Sequence, residues 1–188
     1  MGQLSVTIYG ATGAVLNDIQ QSGIKPRQVR TWPGISGRTI ETFLNDVYLY
    51  LDKAVVRKKI NSIVESELTD EPTVVVAHSL GSVVAYDVLM SHHSNINLAG
   101  FLTVGSQLGI KAITAMLGLP RNPAPGKWVN AYDKRDIVAL NPLDANHFPV
   151  APQIVNFAGV KNHTSNRHGI DGYLDDSVVA KQVAAFAS

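Results

Sequence analysis

The chain has 188 residues, of which 45% are hydrophobic and 16% are charged. That balance excludes a disordered or fibrous protein, and the length fits one domain spanning residues 1–188. Sixteen basic and fifteen acidic residues leave a net charge of +1, so the sequence predicts no nucleic-acid partner. The absence of cysteine excludes disulfides, thiolate metal sites and a cysteine nucleophile.

The apolar runs of the chain are much shorter than the ~20 residues that a membrane-spanning helix needs. The first residues also lack the basic start and the apolar core of a signal peptide. Together with the missing cysteines, these features favour a cytoplasmic protein without a membrane span. No pattern in the sequence indicates an oligomeric state.

Six short runs rich in apolar and β-branched residues have the length of strands: 4–9, 28–32, 73–77, 100–104, 128–132 and 154–157. Apolar residues spaced by three or four predict helices over 14–21, 40–68, 81–90, 110–117 and 174–186, and the region 40–68 has room for two. Strands that alternate with helices are typical of a parallel sheet covered on both faces. The sequence therefore predicts an α/β three-layer sandwich with a mostly parallel sheet of about six strands.

Two stretches rich in proline, 117–127 and 141–152, are predicted to be irregular loops. Ligands of open parallel sheets bind outside the carboxyl ends of the strands. We expect these two loops to shape a substrate pocket there, although neither has a pattern that specifies the substrate.

A serine lies between the strand predicted over 73–77 and the helix predicted over 81–90. Residues 77–81 read Ala-His-Ser-Leu-Gly. A strand–turn–helix junction of the form Gly-x-Ser-x-Gly needs small residues two positions before and after the serine, and alanine meets that need. Such a turn exposes the Ser79 hydroxyl at the end of the strand, beside the N–H groups that begin the helix. The alternative is that Ser79 only caps the helix.

The stretch 74–82 resembles the nucleophile elbow of the α/β-hydrolase superfamily, in its lipase and esterase-like branch. The resemblance implies a sandwich without a large cap domain. It also implies a serine hydrolase whose acid and histidine follow the serine in that order. We expect no cofactor and no metal, because the chain lacks cysteine and an H-E-x-x-H motif.

Two aspartates follow the strand predicted over 128–132. Asp136 precedes an Ile-Val pair, as the acid does in many lipases, and is the predicted catalytic acid. Asp133 is the rival, and it could instead brace the turn through its own backbone. Asp136 could alternatively be a surface partner of Lys134 or Arg135.

Two histidines, His163 and His168, follow the last predicted strand. The segment 168–174 resembles the histidine loop of bacterial α/β-hydrolases, in which a Gly-Tyr-Leu run opens the last helix, so His168 is the predicted base. A neutral imidazole suits a general base for serine. His163 is the alternative base, and either histidine could instead be a solvated loop residue.

The predicted oxyanion donors are the backbone N–H groups of Leu80 and Ala11. The superfamily usually has His-Gly after an early strand, whereas residues 9–13 here read Tyr-Gly-Ala-Thr-Gly. The departure leaves open whether the oxyanion hole is complete. Residues 105–109 resemble the loop after the next strand in lipase-like hydrolases, where the following segment roofs the pocket.

The predicted function is cleavage of carboxylic esters, in small molecules or lipids, through an acyl-enzyme formed on Ser79, with His168 as base and Asp136 as acid. One alternative is a catalytically impaired α/β-hydrolase-fold binding protein. A second is a dinucleotide-binding protein that uses the Gly10–Gly13 loop, although residue 16, where a third glycine would fall, is leucine.

Overall fold

The computed structural model describes residues 5–9, 38–92, 96–139 and 141–188. Within them, five parallel strands form one sheet, and neighbours in the sheet follow chain order. The strands are β1 (Ser5–Tyr9), β2 (Thr73–His78), β3 (Leu98–Val104), β4 (Trp128–Ala131) and β5 (Val155–Phe157). The predicted α/β class and parallel sheet are confirmed. The strand predicted over 28–32 and the helix predicted over 14–21 lie outside the described residues.

β2 lies inside the sheet, with β1 on one side and β3 on the other. All six of its residues are buried, which is why residues 74–77 form a continuous apolar run rather than an alternating one. His78, the last residue of β2, is opposite Val104 of β3, and Val104 is opposite Ala131 of β4. Because the strands are parallel, the segments that follow these three residues meet at one edge of the sheet, the carboxyl edge.

Six helices connect or flank the strands in the described part of the chain: α1 (Arg38–Asp52), α2 (Ala54–Ser66), α3 (Leu80–His92), α4 (Lys111–Leu117), α5 (Ile170–Leu174) and α6 (Ser177–Phe186). The region predicted over 40–68 thus holds two helices, which meet at Lys53. None of the helices among these residues has both the length and the apolar character needed to cross a bilayer.

The helix predicted over 174–186 begins three residues later than predicted, at Ser177, and a separate short helix precedes it. α5 ends at Leu174, and α6 begins at Ser177. The interruption has a local cause: the Asp176 side chain accepts hydrogen bonds from the backbone N–H groups of Val178 and Val179, which caps a new helix. The apolar period continues across the break and conceals it in the sequence.

Helices pack on both faces of the sheet and create two apolar cores. On one face, α1 to α4 pack against alternate strand residues such as Val75 and Phe101. On the other face, α5 and α6 pack against the intervening residues, such as Val74 and Leu102. The alternation follows from the period of two along a strand, and it produces the three layers that the sequence predicts.

The loop 117–127 lies at the edge of the sheet away from Ser79, contrary to expectation. It leads into the first residue of β4 and is therefore at the amino edge of the sheet, opposite the end of β2. The Asn122 side chain there donates to the carbonyl of Pro152, which precedes β5. The loop 141–152 differs, because it starts at the carboxyl edge, where Asn141 donates to the Gly109 carbonyl.

A buried carboxylate joins three helices behind the sheet. Asp87 of α3 is 6% exposed and accepts hydrogen bonds from Tyr50 at 2.7 Å, Asn61 at 2.8 Å and the Arg57 guanidinium. Burial pushes the pKa of Asp87 upward, but the hydrogen bonds from Arg57, Asn61 and Tyr50 outweigh it and hold the pKa below its ordinary value of 3.8. The cluster fixes α1 and α2 on the helix that follows Ser79.

We expect Asp87→Asn to lower the free energy of unfolding by about 2 kcal/mol or more at pH 7, because it leaves Arg57 facing a neutral amide. A carboxyl whose pKa is lowered on folding stabilises the protein above its unfolded pKa, and the contribution is lost as pH falls through the folded value. The difference between the two proteins should therefore shrink below about pH 4 in urea titrations.

Asp175→Ala serves as the control, because Asp175 is 72% exposed and its ion pair with His163 is long, at 3.7 Å. Exposed pairs of this kind contribute about 0–1 kcal/mol. Equal effects of the two substitutions, or an Asp87→Asn effect that persists unchanged at pH 3, would contradict the role assigned to the cluster.

Candidate active site

The turn at Ser79 has a backbone conformation that side chains rarely adopt. Its φ is 54°, in the left-handed region, at the point where β2 ends and α3 begins. The Ser79 N–H donates to the Val104 carbonyl at 3.3 Å, so the residue is still attached to β3. The Ser82 hydroxyl then donates to the Ser79 carbonyl at 2.6 Å. These contacts hold a strained turn of the kind that functional sites often contain.

The structure brings the three predicted catalytic side chains into one hydrogen-bonded chain. His168 Nε2 lies 2.8 Å from Ser79 Oγ, and His168 Nδ1 lies 2.7 Å from Asp136 Oδ2. All three residues are nearly inaccessible to solvent, at 1% exposure for Ser79, 2% for His168 and 0% for Asp136. A carboxylate, an imidazole and a hydroxyl in that order can pass a proton from the hydroxyl to the imidazole.

Asp136 is held by more than the histidine. Its Oδ1 accepts the N–H of Val138 at 2.9 Å, and its Oδ2 accepts the hydroxyl of Tyr173 at 2.6 Å as well as the ring of His168. The Arg135 side chain pairs with Asp133 rather than with Asp136. The alternative of a surface ion pair for Asp136 therefore does not match the structure.

The rival candidates lie elsewhere. The His163 side chain is 61% exposed, and its Nε2 lies 3.7 Å from Asp175 Oδ2. Asp133 accepts the Arg135 guanidinium and, through Oδ2, the N–H of Asn162 at 2.9 Å. Arg135 and the other hydrogen bonds lower the pKa of Asp133 below its ordinary value. Asp133 thus connects the segment after β4 to the loop that carries His168.

Asn162 shapes that loop from the inside. Its side chain donates to the Gly169 carbonyl at 2.8 Å and accepts the N–H of Thr164 at 3.0 Å. The Gly169 N–H in turn donates to the Thr164 hydroxyl. His168 lies between these fixed points, after Arg167, whose φ of 57° turns the chain. The loop is therefore built to hold the imidazole in one position.

His78, the residue before the serine, has a role that the sequence analysis did not assign. It is 8% exposed, and its Nε2–H donates to the backbone carbonyl of His168 at 2.7 Å. Burial and the nearby His168 ring lower the pKa of His78 to about 4, so it is a neutral donor at neutral pH. The one sequence feature that could have indicated this role is the position of His78 directly before Ser79, in the turn between strand and helix.

The loop after β3 packs closely under the site. Gly105 has a φ of 57°, and a side chain there would lie 2.9 Å from the Tyr173 ring and 3.2 Å from His78. The Ser106 hydroxyl lies 2.8 Å from that of Ser82, in the first turn of α3. Glycine at position 105 is thus required both by the backbone conformation and by the close approach of two rings.

One backbone donor of the predicted oxyanion hole can be placed. Leu80 is the first residue of α3, directly after Ser79, where N–H groups at the start of a helix have no partner within the helix. Ala11, the second predicted donor, lies outside the described residues, as does the rest of the Gly10–Gly13 loop.

Gln107 is an exception to the dense hydrogen bonding around the site. It is fully buried, yet neither its amide nitrogen nor its amide oxygen has a hydrogen-bond partner among the described residues. A buried polar group without a partner costs about 1–3 kcal/mol. No feature of the sequence distinguishes this glutamine from a solvated loop residue.

We expect Gln107→Met, which keeps the shape and removes the amide, to raise the free energy of unfolding by about 1 kcal/mol or more. The matched control is Asn162→Leu, because Asn162 is also fully buried but its amide is hydrogen-bonded, so that substitution should be destabilising. Thermal unfolding of both variants checks this. A lower melting temperature for Gln107→Met would mean that the amide has a partner in solution.

The described residues contain no group of three histidine, aspartate or glutamate side chains that could hold a metal ion. Searches with family models, against curated proteins and against solved structures returned no match for the chain. What the site does must therefore be inferred from its own geometry.

Proposed function

We propose that the protein is a serine hydrolase that cleaves carboxylic esters through a covalent acyl-enzyme. The observation that carries the proposal is the buried chain of hydrogen bonds from Ser79 Oγ to His168 and from His168 to Asp136, at 2.8 and 2.7 Å. Each distance is within the range at which a base takes a proton from a nucleophile and is oriented by a third group.

In the first half of the reaction, Ser79 Oγ attacks the ester carbonyl carbon while His168 Nε2 takes the hydroxyl proton. The tetrahedral intermediate then expels the alcohol, which receives that proton from His168 as the C–O bond breaks. In the second half, water attacks the acyl carbon and gives a proton to the same nitrogen. His168 then returns that proton to Ser79 Oγ as the bond between Oγ and the acyl carbon breaks, which releases the acid and restores the Ser79 hydroxyl.

Asp136 makes this proton transfer favourable. Its carboxylate faces Nδ1 of His168 and stabilises the imidazolium that forms when Nε2 is protonated. The same contact keeps the proton on Nδ1 before reaction, which leaves Nε2 free to accept. His78 supports the arrangement, because its hydrogen bond holds the backbone of the base.

The negative oxygen of the intermediate needs backbone donors. The N–H of Leu80 at the start of α3 is the first, and an N–H from the Gly10–Gly13 loop, such as that of Ala11, is the proposed second. Loss of one such donor typically costs 10²–10³ in turnover, so the second donor decides whether the protein is a fast or a slow hydrolase.

An ester outranks an amide as the substrate, because the elbow resembles that of lipases and esterases. The family assignment, α/β-hydrolase without a large cap domain, is part of the proposal and is supported by the parallel sheet and by the order serine, acid, histidine along the chain.

A fluorophosphonate probe tests the nucleophile. We expect labelling to form an Oγ–P bond with loss of fluoride, and Ser79→Ala to abolish both labelling and the hydrolysis of short-chain nitrophenyl esters. Ser106→Ala is the control, because Ser106 is a buried serine at the same edge that touches neither histidine nor aspartate in the described contacts.

Since Ser79 is almost fully buried, the probe also tests whether a substrate can reach Oγ. Hydrolysis that survives Ser79→Ala would refute the mechanism. A folded protein that neither labels nor hydrolyses any ester in a panel of acyl-chain lengths would favour a binding protein instead.

The two histidines are separated by a second experiment. We expect His168→Ala to lower kcat by about 10³-fold or more, because His168 contacts Ser79. His163→Ala should lower kcat by less than about tenfold, since the His163 side chain is exposed and its described contact is with Asp175. Steady-state kinetics with a nitrophenyl ester gives both values. The opposite ranking would assign the base to His163 and contradict the geometry.

A further inference from the structure

Tyr173 lies between both aspartates and the ring of His78. Its hydroxyl donates to Asp136 Oδ2 at 2.6 Å and accepts the backbone N–H of Asp133 at 3.3 Å. The ring lies 5.9 Å from that of His78, and the residue is fully buried.

From this arrangement, and on the basis of the hydrolase proposed above, we infer that Tyr173 is a positioning residue for the catalytic acid. Its hydroxyl fixes the rotation of the Asp136 carboxylate, so that Oδ2 faces His168 while the reaction proceeds. It acts through the acid and does not touch the serine or the substrate.

The first argument is the geometry of the carboxylate. Oδ1 is held by the N–H of Val138, and Oδ2 is shared between the Tyr173 hydroxyl and His168 Nδ1. Without Tyr173, the described contacts would leave the imidazole as the only donor to Oδ2. The orientation of the Asp136 carboxylate would then depend on that of the His168 ring, and the carboxylate would no longer hold the ring in place.

The second argument is the charge state of the phenol. Burial and the negative charge of Asp136 both raise the pKa of Tyr173 above its ordinary value of 10.0. The hydroxyl therefore keeps its proton at any pH at which the protein works, and it serves as a donor to the carboxylate in both halves of the reaction.

The third argument is the close packing around the Tyr173 ring. Gly105, with its positive φ, leaves the space that the ring occupies, and Gly172 packs so closely on Asn162 that a side chain there would lie 2.2 Å from the amide oxygen. The short helix α5 thus sits against the loop of His168, with Tyr173 directed inward. A purely apolar contact would need only phenylalanine.

The test compares Tyr173→Phe with Tyr86→Phe in the full chain. Tyr86 is a matched control, because it is also buried and its hydroxyl accepts a backbone N–H, that of Arg121 at 3.0 Å, but it touches no carboxylate in the described contacts. Both variants lose one hydroxyl and leave one N–H without its acceptor. Only Tyr173→Phe removes a donor from Asp136.

The first readout is the proton NMR resonance of His168 Nδ1–H, identified by its loss in Asp136→Ala. Once Oδ2 has lost one of its two donors, it is a stronger acceptor for the remaining one, so we expect the resonance to move downfield in Tyr173→Phe and to stay in place in Tyr86→Phe. This readout needs no catalysis, and it tests the inference even if the protein proves not to be a hydrolase.

The second readout is kinetic. We expect Tyr173→Phe to lower kcat about tenfold with KM changed less than about twofold, because the hydrogen bond that is lost is to a charged group that does not contact substrate. Tyr86→Phe should leave both constants within about twofold of the wild type. An unchanged kcat, an unmoved resonance, or equal losses in the two variants would overturn the inference.

The failures of the two proposals are distinguishable. If the wild type shows no Ser79-dependent labelling, the hydrolase proposal fails, whatever Tyr173→Phe does to the resonance. If the wild type is labelled and Tyr173→Phe is labelled at the same rate, only the positioning role fails. Should Tyr173→Phe not fold, Tyr173→3-fluorotyrosine keeps the ring and strengthens the donor, and it should move the resonance upfield.

Discussion

A carboxylate without access to water must find its hydrogen-bond donors inside the protein, and the architecture around Asp136 follows from that requirement. An unpaired charge at this depth would cost far more than any single contact returns. The donors come from three parts of the chain: the backbone of its own turn, α5, and the loop after β5. Each of those parts is in turn held by a further hydrogen bond or by close packing.

A second buried aspartate in the same molecule, Asp87, has its charge compensated in a different way. Asp87 is neutralised by a guanidinium and is a structural joint between helices. Asp136 has only neutral donors, an imidazole, a phenol and an amide, so its negative charge is left without a cation in the described contacts. In the mechanism proposed above, Asp136 is complementary to a positive charge that appears only when His168 is protonated, which is the condition for stabilising a transition state rather than a ground state.

The parts of this site that are local in the chain could be predicted from the sequence. The valine-rich run before Ser79 indicates a buried strand, and Leu80 and Gly81 begin the helix that follows, so the turn between them can be recognised without a structure. The ambiguity between Asp133 and Asp136 could not be removed in that way, because both belong to one turn. In the structure, Asp136 rather than Asp133 contacts His168, which is 32 residues further along the chain. Contacts at such separation leave no periodic pattern in a single sequence, and the same holds for the unpaired amide of Gln107.

The loop 117–127 and Ser79 lie at opposite edges of the sheet, and this separation has a practical consequence. The loop 117–127 enters β4 at the edge away from Ser79, and Leu119 within it is 93% exposed. Gly118 and Gly126 have no heavy atom near the position of a side chain. A short tag or a fluorophore attached at Leu119 would be exposed to solvent, at the opposite edge of the sheet from Ser79. That loop is the natural attachment point for immobilising the protein or following it by fluorescence while the site is left intact.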